Sequence, residues 1–565
     1  MKKLIPMIAA IVLILVIGVI AFGSMVWEKY SYSKERVDME EYFKVSGDQV
    51  AIILQDEMIA EKAHIREGIC YFELGTVHIY LNEIFYADKA EGLLLYTTAV
   101  DVYRVNFGDS VMTWDEGSEE LGYAAAYLEE DVVYVAADYV KRFTNLSYEV
   151  FECHVQVDTQ WDSRLVAEIE KDTAIRQRGG VKSPILRDLI AGEQVEILEK
   201  MDTWSMIKTS DSIIGYVENK LLTNESITEE VPVTDYRAPE YTSLLSDKRI
   251  SLGWHSIGGL AGNATLDTMA AESNGLSTIA PTWFSLNDNE GNFRSFASTA
   301  YVERAHTLGL QVWGVWDDFN FSLETGNNVD IYQVLSVTSR RQGLVANIAQ
   351  TAMSLGLDGI NIDFEKIGAD SGPHFLQFLR ELSVRCRENG LVLSVDNYVP
   401  FNFNSYYRLD IQGQVADYVV IMGYDEHWSG SGDPGSVAGI DFVENGINRT
   451  LESVPAEKVV NALPFYSILW KVEGAAVTDE FLTIKNTADF LARNGIVPVW
   501  DDETCQNYAE WLSGNVTYKI WLEDEASINV KLNVMRNKNI GGVAVWKLGN
   551  ATSGVWELIS AYVNS

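Results

Sequence analysis

The rhythm of apolar and polar positions changes several times along the chain. Residues 4 to about 22 are almost wholly apolar, close to the roughly 20 residues that a membrane-spanning helix needs. From 38 to about 158, short apolar runs at 50–54, 77–81, 93–100 and 132–135 are split by turn residues, and 137–144 reads as one helix. That pattern predicts a small β-rich domain. Tighter punctuation follows between 171 and 222, where runs at 174–176, 183–186, 189–198, 204–209 and 213–217 predict a small β-barrel. Residues 223–245 are polar and carry Val231-Pro232 and Ala238-Pro239, which predicts a linker. The region 249–565 alternates eight strand-like runs with helical ones: 250–254, 278–283, 311–316, 359–365, 392–399, 418–424, 459–464 and 542–547. This is the pattern of an α/β, (β/α)8 barrel.

One of those strands carries an unusual face. Ile360, Ile362 and Phe364 alternate with Asn361, Asp363 and Glu365, and alternate residues of a strand point to opposite faces. Helical flanks at 351–357 and 375–387 imply that the strand is covered, so the amide and the two carboxyls face inward. Buried carboxylates cost several kcal/mol unless paired, hydrogen-bonded or protonated. A row of them therefore points to chemistry. Asp358 has the other parity and joins the row only if Gly359 opens a bulge.

Composition narrows the partners. The net charge of −38 over 565 residues argues against nucleic acid, which needs a basic surface. Fifteen Trp and 27 Tyr supply aromatic faces that stack on ligands or fill cores. The four cysteines show no metal-ligand spacing; Cys70 and Cys153 share one expected domain and could pair, whereas Cys386 and Cys505 read as buried thiols. Lys2 and Lys3 ahead of the apolar run favour an inside N-terminus, and Ala21-Phe22-Gly23 is a poor cleavage site. The expectation is a signal-anchor over 4–24 with residues 1–3 cytoplasmic, a single pass through the cell membrane, and everything downstream outside the cytoplasm. Secretion after cleavage is the alternative.

Polar residues gather at the C-terminal ends of the expected barrel strands, where barrel enzymes keep their sites. Strand two runs into Trp283, strand four into Asp363 and Glu365, strand six into Tyr424, Asp425 and His427-Trp428, and strand eight into Trp546. The run Asp358-Gly359-Ile360-Asn361-Ile362-Asp363-Phe364-Glu365 resembles the D-G-x-[DN]-x-[DN]-x-E signature of glycoside hydrolase family 18. Met422-x-Tyr424-Asp425 and Gly541-Gly542-x-x-x-Trp546 resemble the same family's strand-six and strand-eight motifs, and Trp521-x-x-Asp524-x-x-Ser527 a segment of its wall-active members. Residues 171–222 resemble a bacterial Src-homology-3-like module, which in such proteins binds wall peptides or acts as a spacer. Residues 38–158 are similar to repeats at the N-terminus of copper-amine-oxidase-like wall proteins, without metal ligands.

The resemblance implies a retaining hydrolysis in which the sugar's own acetamido oxygen attacks. Glu365 would be the proton donor, Asp363 would hold the acetamido N–H, and Tyr424 would donate to the acetamido oxygen. Asp358, Asn361, Asp425, Trp546, Trp283 and Trp428 would bind substrate; Trp316 is a further stacking or core candidate. Asn361 departs from the commoner aspartate and cannot share a proton with Asp363. His255 and His427 lie near the expected mouth without a third ligand, so neither metal nor cofactor is expected. The implied substrate is a β-1,4-linked N-acetylhexosamine polymer, most simply peptidoglycan in a cell wall. A chitinase, or a silent sugar-binding protein, is the alternative.

Overall fold

The computed structural model describes residues 4–565 except 230, 232, 233 and 235. The expected cytoplasmic residues 1–3 and those four linker positions lie outside the described residues. The chain divides into two compact units. One holds the described residues up to Leu94 with Arg104–Thr113 and Gly117–Ala238; the other holds Leu95–Tyr103, Trp114–Glu116 and Pro239–Ser565.

The first unit opens on one helix, Leu4–Tyr30, which continues past the expected end at residue 24. Its stretch Ile5–Tyr30 is long and apolar enough to cross a membrane. At about 1.5 Å per residue it exceeds a bilayer core of about 30 Å. Residues 31–37 then run along the edge of a small barrel as a strap. Ser33 donates its N–H to the Val181 carbonyl at 2.7 Å, Ile185 to Glu35 at 2.8 Å, and Val37 to Ile185 at 2.9 Å. The Tyr32 hydroxyl donates to Glu218 at 2.7 Å, and Arg176 lies 5.3 Å over the Tyr32 ring.

The β-rich domain holds a seven-stranded sheet in the order Ser147–Val150, His154–Asp158, Gln49–Leu54, Glu57–Arg66, Ile69–Glu73, Val132–Ala136 and Ala126–Glu129. The strand expected at 77–81 is instead part of a helix, Leu74–Tyr80, with Thr76 and Val77 buried. That helix packs on Ile69–Glu73 and Val132–Ala136, and this tertiary contact overrides the strand preference of its β-branched residues. The small barrel extends further than its sequence pattern. Ser163–Ile169 precedes the expected start, and Leu222–Glu229 pairs antiparallel with it, so the expected linker begins as strand. Ile175, Leu186, Val195, Ile207 and Val217 fill its core.

The second unit is built on eight parallel strands: β1 Ile250–His255, β2 Thr278–Pro281, β3 Gln311–Asp317, β4 Gly359–Asp363, β5 Val392–Tyr398, β6 Tyr418–Met422, β7 Val459–Pro464 and β8 Gly542–Trp546. Neighbours pair in order and Ile250 pairs with Gly542, which closes the barrel. Alternation sorts the side chains into two cores. Leu252, Trp254, Trp313, Val315, Val420 and Ala544 fill the interior. Ile279, Trp316, Ile360, Ile362, Val395 and Val543 face the helices. Between β7 and β8 stands an insertion that the strand-and-helix rhythm did not predict. It is a five-stranded antiparallel sheet drawn from Tyr466–Leu522, with the helix Ile484–Asn494 and a small core of its own.

All four cysteines are free. The candidate Cys70–Cys153 bridge is not formed. Cys505, expected in a core, sits half-buried with a φ of +51°. Burial pushes the Cys70 thiol up to about 12.

Candidate active site

The inner parity of β4 carries Asn361 and Asp363, and Glu365 follows just past the strand end. Neighbouring strands end in polar groups of the same parity: Asp317 on β3, Asp396 and Tyr398 on β5, and Trp546 on β8. With Tyr424 and Asp425 beyond β6 they line one cleft of about 270 Å³ at the C-terminal mouth. That lies just below the usual range of ligand pockets, roughly 300 Å³ and above.

The cleft is crowded with acid. Asp317, Glu324, Asp363, Glu365, Asp396 and Asp425 line it, and among the described lining residues Arg294 is the one lysine or arginine. Burial is the main force that raises the Glu365 pKa; Asp425 and Asp317 add to it and the Tyr398 hydroxyl, which donates to Glu365 Oε2, opposes it. Asp363 is raised well above the usual carboxyl range by burial, then by Glu365 and Asp396. Its Oδ1 is buried with no hydrogen-bond partner. Asp425, at the lip with φ +62°, is stripped of water by the cleft walls, which raise its pKa, while the Tyr466 hydroxyl at 2.5 Å lowers it. Tyr424 is held far above its ordinary value, first by burial and then by neighbouring Tyr466 and Asp425. Trp546 forms the apolar side, edge-on to Trp254 at 6.1 Å.

Several expected binding residues lie elsewhere. Asp358 sits at the N-terminal end of β4, where its Oδ2 accepts the Val312 N–H at 2.7 Å and faces His306 Nε2 at 2.9 Å. No bulge opens at Gly359, so Asp358 keeps its own parity and supports the barrel bottom. Asn361 is fully buried beneath the cleft. Its amide donates to Ser394 Oγ at 2.6 Å and Asp396 Oδ1 at 2.8 Å and accepts from Trp254 Nε1 at 3.0 Å. Trp283 edges the cleft but is 1% exposed, with Nε1 on Asn263 at 2.8 Å, so it offers no face for stacking. Trp316 stacks on Phe284 at 4.1 Å inside the helix-facing core. Trp428 is 55% exposed and outside the cleft lining.

The two histidines are engaged as well. His255 is buried, its nitrogens within 2.7 Å of the Tyr301 hydroxyl and 2.8 Å of Thr265 Oγ1, and burial lowers its pKa to about 4. His427 Nδ1 lies 3.0 Å from the Asp433 carbonyl. Asp524 and Ser527 form the capping box of the helix Glu525–Asn537 rather than part of the cleft.

Residues 283–551 match the family model for glycosyl hydrolases family 18. The barrel is a family 18 glycosyl hydrolase domain. Residues 171–223 match the bacterial SH3 domain. The family 18 domain's relatives include a cortical fragment-lytic enzyme of Bacillus anthracis, 30% identical over 254 residues, covering 42% of this chain and 57% of that protein. A putative sporulation-specific glycosylase, YdhD of Bacillus subtilis, is 29% identical over 240 residues, covering 40% of this chain and 56% of that protein. The chain thus spans just over half the length of these curated relatives. Among solved structures, the Bacillus cereus spore cortex-lytic enzyme SleL aligns with a TM-score of 0.50 at 21% identity, over 58% of this chain and 78% of that one. The C-terminal domain of a putative chitinase from Desulfitobacterium hafniense gives 0.50 at 16% identity, over 56% of this chain and all of that one. These two likenesses establish the family 18 barrel's fold.

Proposed function

We propose that the chain is an N-acetylglucosaminidase that cuts peptidoglycan with retention, anchored in the cell membrane by its N-terminal helix. The observation that carries this reading is Asp363 Oδ1, a buried carboxyl oxygen left unpartnered in a cleft shared with a Glu365 whose pKa is raised. A retained proton makes Glu365 a general acid for the glycosidic oxygen. As that bond breaks, the acetamido oxygen of the same sugar closes on the anomeric carbon. Asp363 takes the acetamido N–H, Tyr424 donates to the acetamido oxygen, and Trp546 lies beneath the ring. Water then opens the cyclic intermediate, returning its proton to Glu365. Activity should fall as pH rises through the raised Glu365 pKa, because the ionised form has no proton to give.

The names of the B. anthracis and B. subtilis relatives support a wall glycan as substrate. A thiazoline analogue of N-acetylglucosamine is expected to inhibit, and de-N-acetylated glycan to resist cleavage. Equal rates on acetylated and fully deacetylated polymer would point to a protein nucleophile instead. Muropeptide analysis of the digest should find N-acetylglucosamine at the new reducing ends.

The SH3 domain is assigned to the wall side of the membrane, where it binds wall peptide or spaces the barrel from the bilayer. Protease added to wall-stripped cells should remove the barrel. A barrel fully protected in intact stripped cells would overturn the topology.

A further inference from the structure

β4 stops at Asp363, so the peptide groups of 364–366 leave the sheet with no strand to pair them. They are nonetheless pinned on both sides. Asp318, the residue after β3, is fully buried. Its Oδ1 accepts the backbone N–H of Glu365 and its Oδ2 that of Lys366, each at 3.0 Å. Across the chain the buried Tyr407 donates its hydroxyl to the Phe364 carbonyl, also at 3.0 Å.

This is a costly way to satisfy two amides. The groups that act on Asp318 are the carboxyls of Asp317, Asp363 and Glu365 and the Tyr407 hydroxyl. The Lys366 ammonium points away, toward Asn328 at 3.4 Å. Burial without a cation pushes Asp318 up to about 7, against the pull of its two N–H bonds. A carboxyl in such surroundings is held by the geometry it enforces. Its two oxygens fix two successive peptide planes, and those planes aim the Glu365 side chain at the cleft, where Tyr398 meets its carboxyl.

We propose that Asp318 and Tyr407 are positioning residues that set the backbone of Glu365 for proton transfer. This rests on Glu365 being the acid. Neither touches the reacting atoms: Asp318 and Tyr407 lie outside the cleft lining. Their effect should therefore fall on turnover rather than on substrate affinity.

The test compares Asp318→Asn, Tyr407→Phe and Glu365→Gln on a chromogenic N-acetylglucosamine oligomer, with circular dichroism as the check on folding. Asparagine keeps the size of Asp318 but turns an N–H donor toward one of the two amides, so the peptide must tilt. Small misplacements of a catalytic group cost up to about 100-fold. Asp318→Asn is expected to lower kcat about 10- to 100-fold with KM within about threefold, and Tyr407→Phe to lower kcat about 3- to 10-fold. Removing the Asp318 charge should also move the alkaline limb of the pH–rate profile to lower pH, since one neighbour that raises Asp363, the carboxyl that shares the cleft with Glu365, is gone. Tyr407→Phe should leave that limb in place. Wild-type kcat in both folded variants, or losses carried by KM, would overturn the proposal. If Asp318→Asn does not fold, Tyr407→Phe decides it alone. Should Glu365→Gln itself turn over normally, the acid assignment fails first.

Discussion

Glu365→Gln should fold normally, bind wall glycan and lose nearly all turnover. The substitution keeps the size of the side chain and one acceptor for the Tyr398 hydroxyl, but it removes the proton. General acid catalysis commonly contributes about 10²–10⁴-fold, and the loss in kcat should be at least of that order. The alkaline limb of the pH–rate profile should vanish with it, because the group whose ionisation shapes that limb is gone. Near-normal hydrolysis by the purified variant would remove Glu365 from the mechanism. Retained sugar binding with no turnover would also dispose of the silent sugar-binding alternative for the wild-type chain, provided that the wild type cleaves.

Asn361→Asp should cost stability, and increasingly so as pH rises. The wild-type amide donates to Asp396 Oδ1 at 2.8 Å and to Ser394 at 2.6 Å, wholly shielded from water. An aspartate there would set two carboxyls against each other, and they must share a proton. Asp396 is already raised well above the usual range by burial, with the Asn361 bond pulling it down. A group whose folded pKa is raised adds stability below its unfolded pKa and loses it as pH climbs through the folded one. The substitution removes the donor and enlarges that shift. Near neutral pH the loss should reach about 2–4 kcal/mol, the scale of an unmatched buried polar group, and it should shrink toward pH 4. Urea unfolding of both proteins between pH 4 and 8 measures it. Parallel stability curves would show that the two side chains do not share a proton.

The barrel and the acid at its mouth were readable because both depend on parity and strand rhythm, which are local. Asp363 and Glu365 stand out in a strand otherwise apolar, and so, in retrospect, does Asp396 within Val392–Tyr398, the residue that the same rule should have flagged. Asp358 was misplaced by the motif that contains it: adjacent letters in a strand lie at opposite parity, and this one also lies at the opposite end of the barrel. The tryptophans show a different limit. An aromatic residue at a strand end is written alike whether it lines an open cleft, as Trp546 does, or packs into core, as Trp283 and Trp316 do. Partners of Asn361 come from β1 and β5, far away in sequence, so no local pattern could separate an amide lining the cleft from one buried beneath it. The insertion before β8 left a trace in spacing alone, since the interval from Pro464 to Gly542 is too long for one connecting helix.

The strap after the first helix has a mechanical consequence. Between Tyr30, the last helical residue, and Ser33, the first residue bonded to the small barrel's backbone, the chain has about 10 Å of slack at some 3.5 Å per residue. A flexible linker would let the SH3 domain sample a broad sphere of heights above a bilayer, with a reach growing as the square root of its length. With the helix retained in a membrane as proposed, the bonded strap would instead act as a stiff standoff. Unzipping residues 33–37 would convert that standoff into a loose tether of at most about 28 Å at some 3.5 Å per residue, so a pull on the SH3 domain would be met first by resistance and then by sudden give.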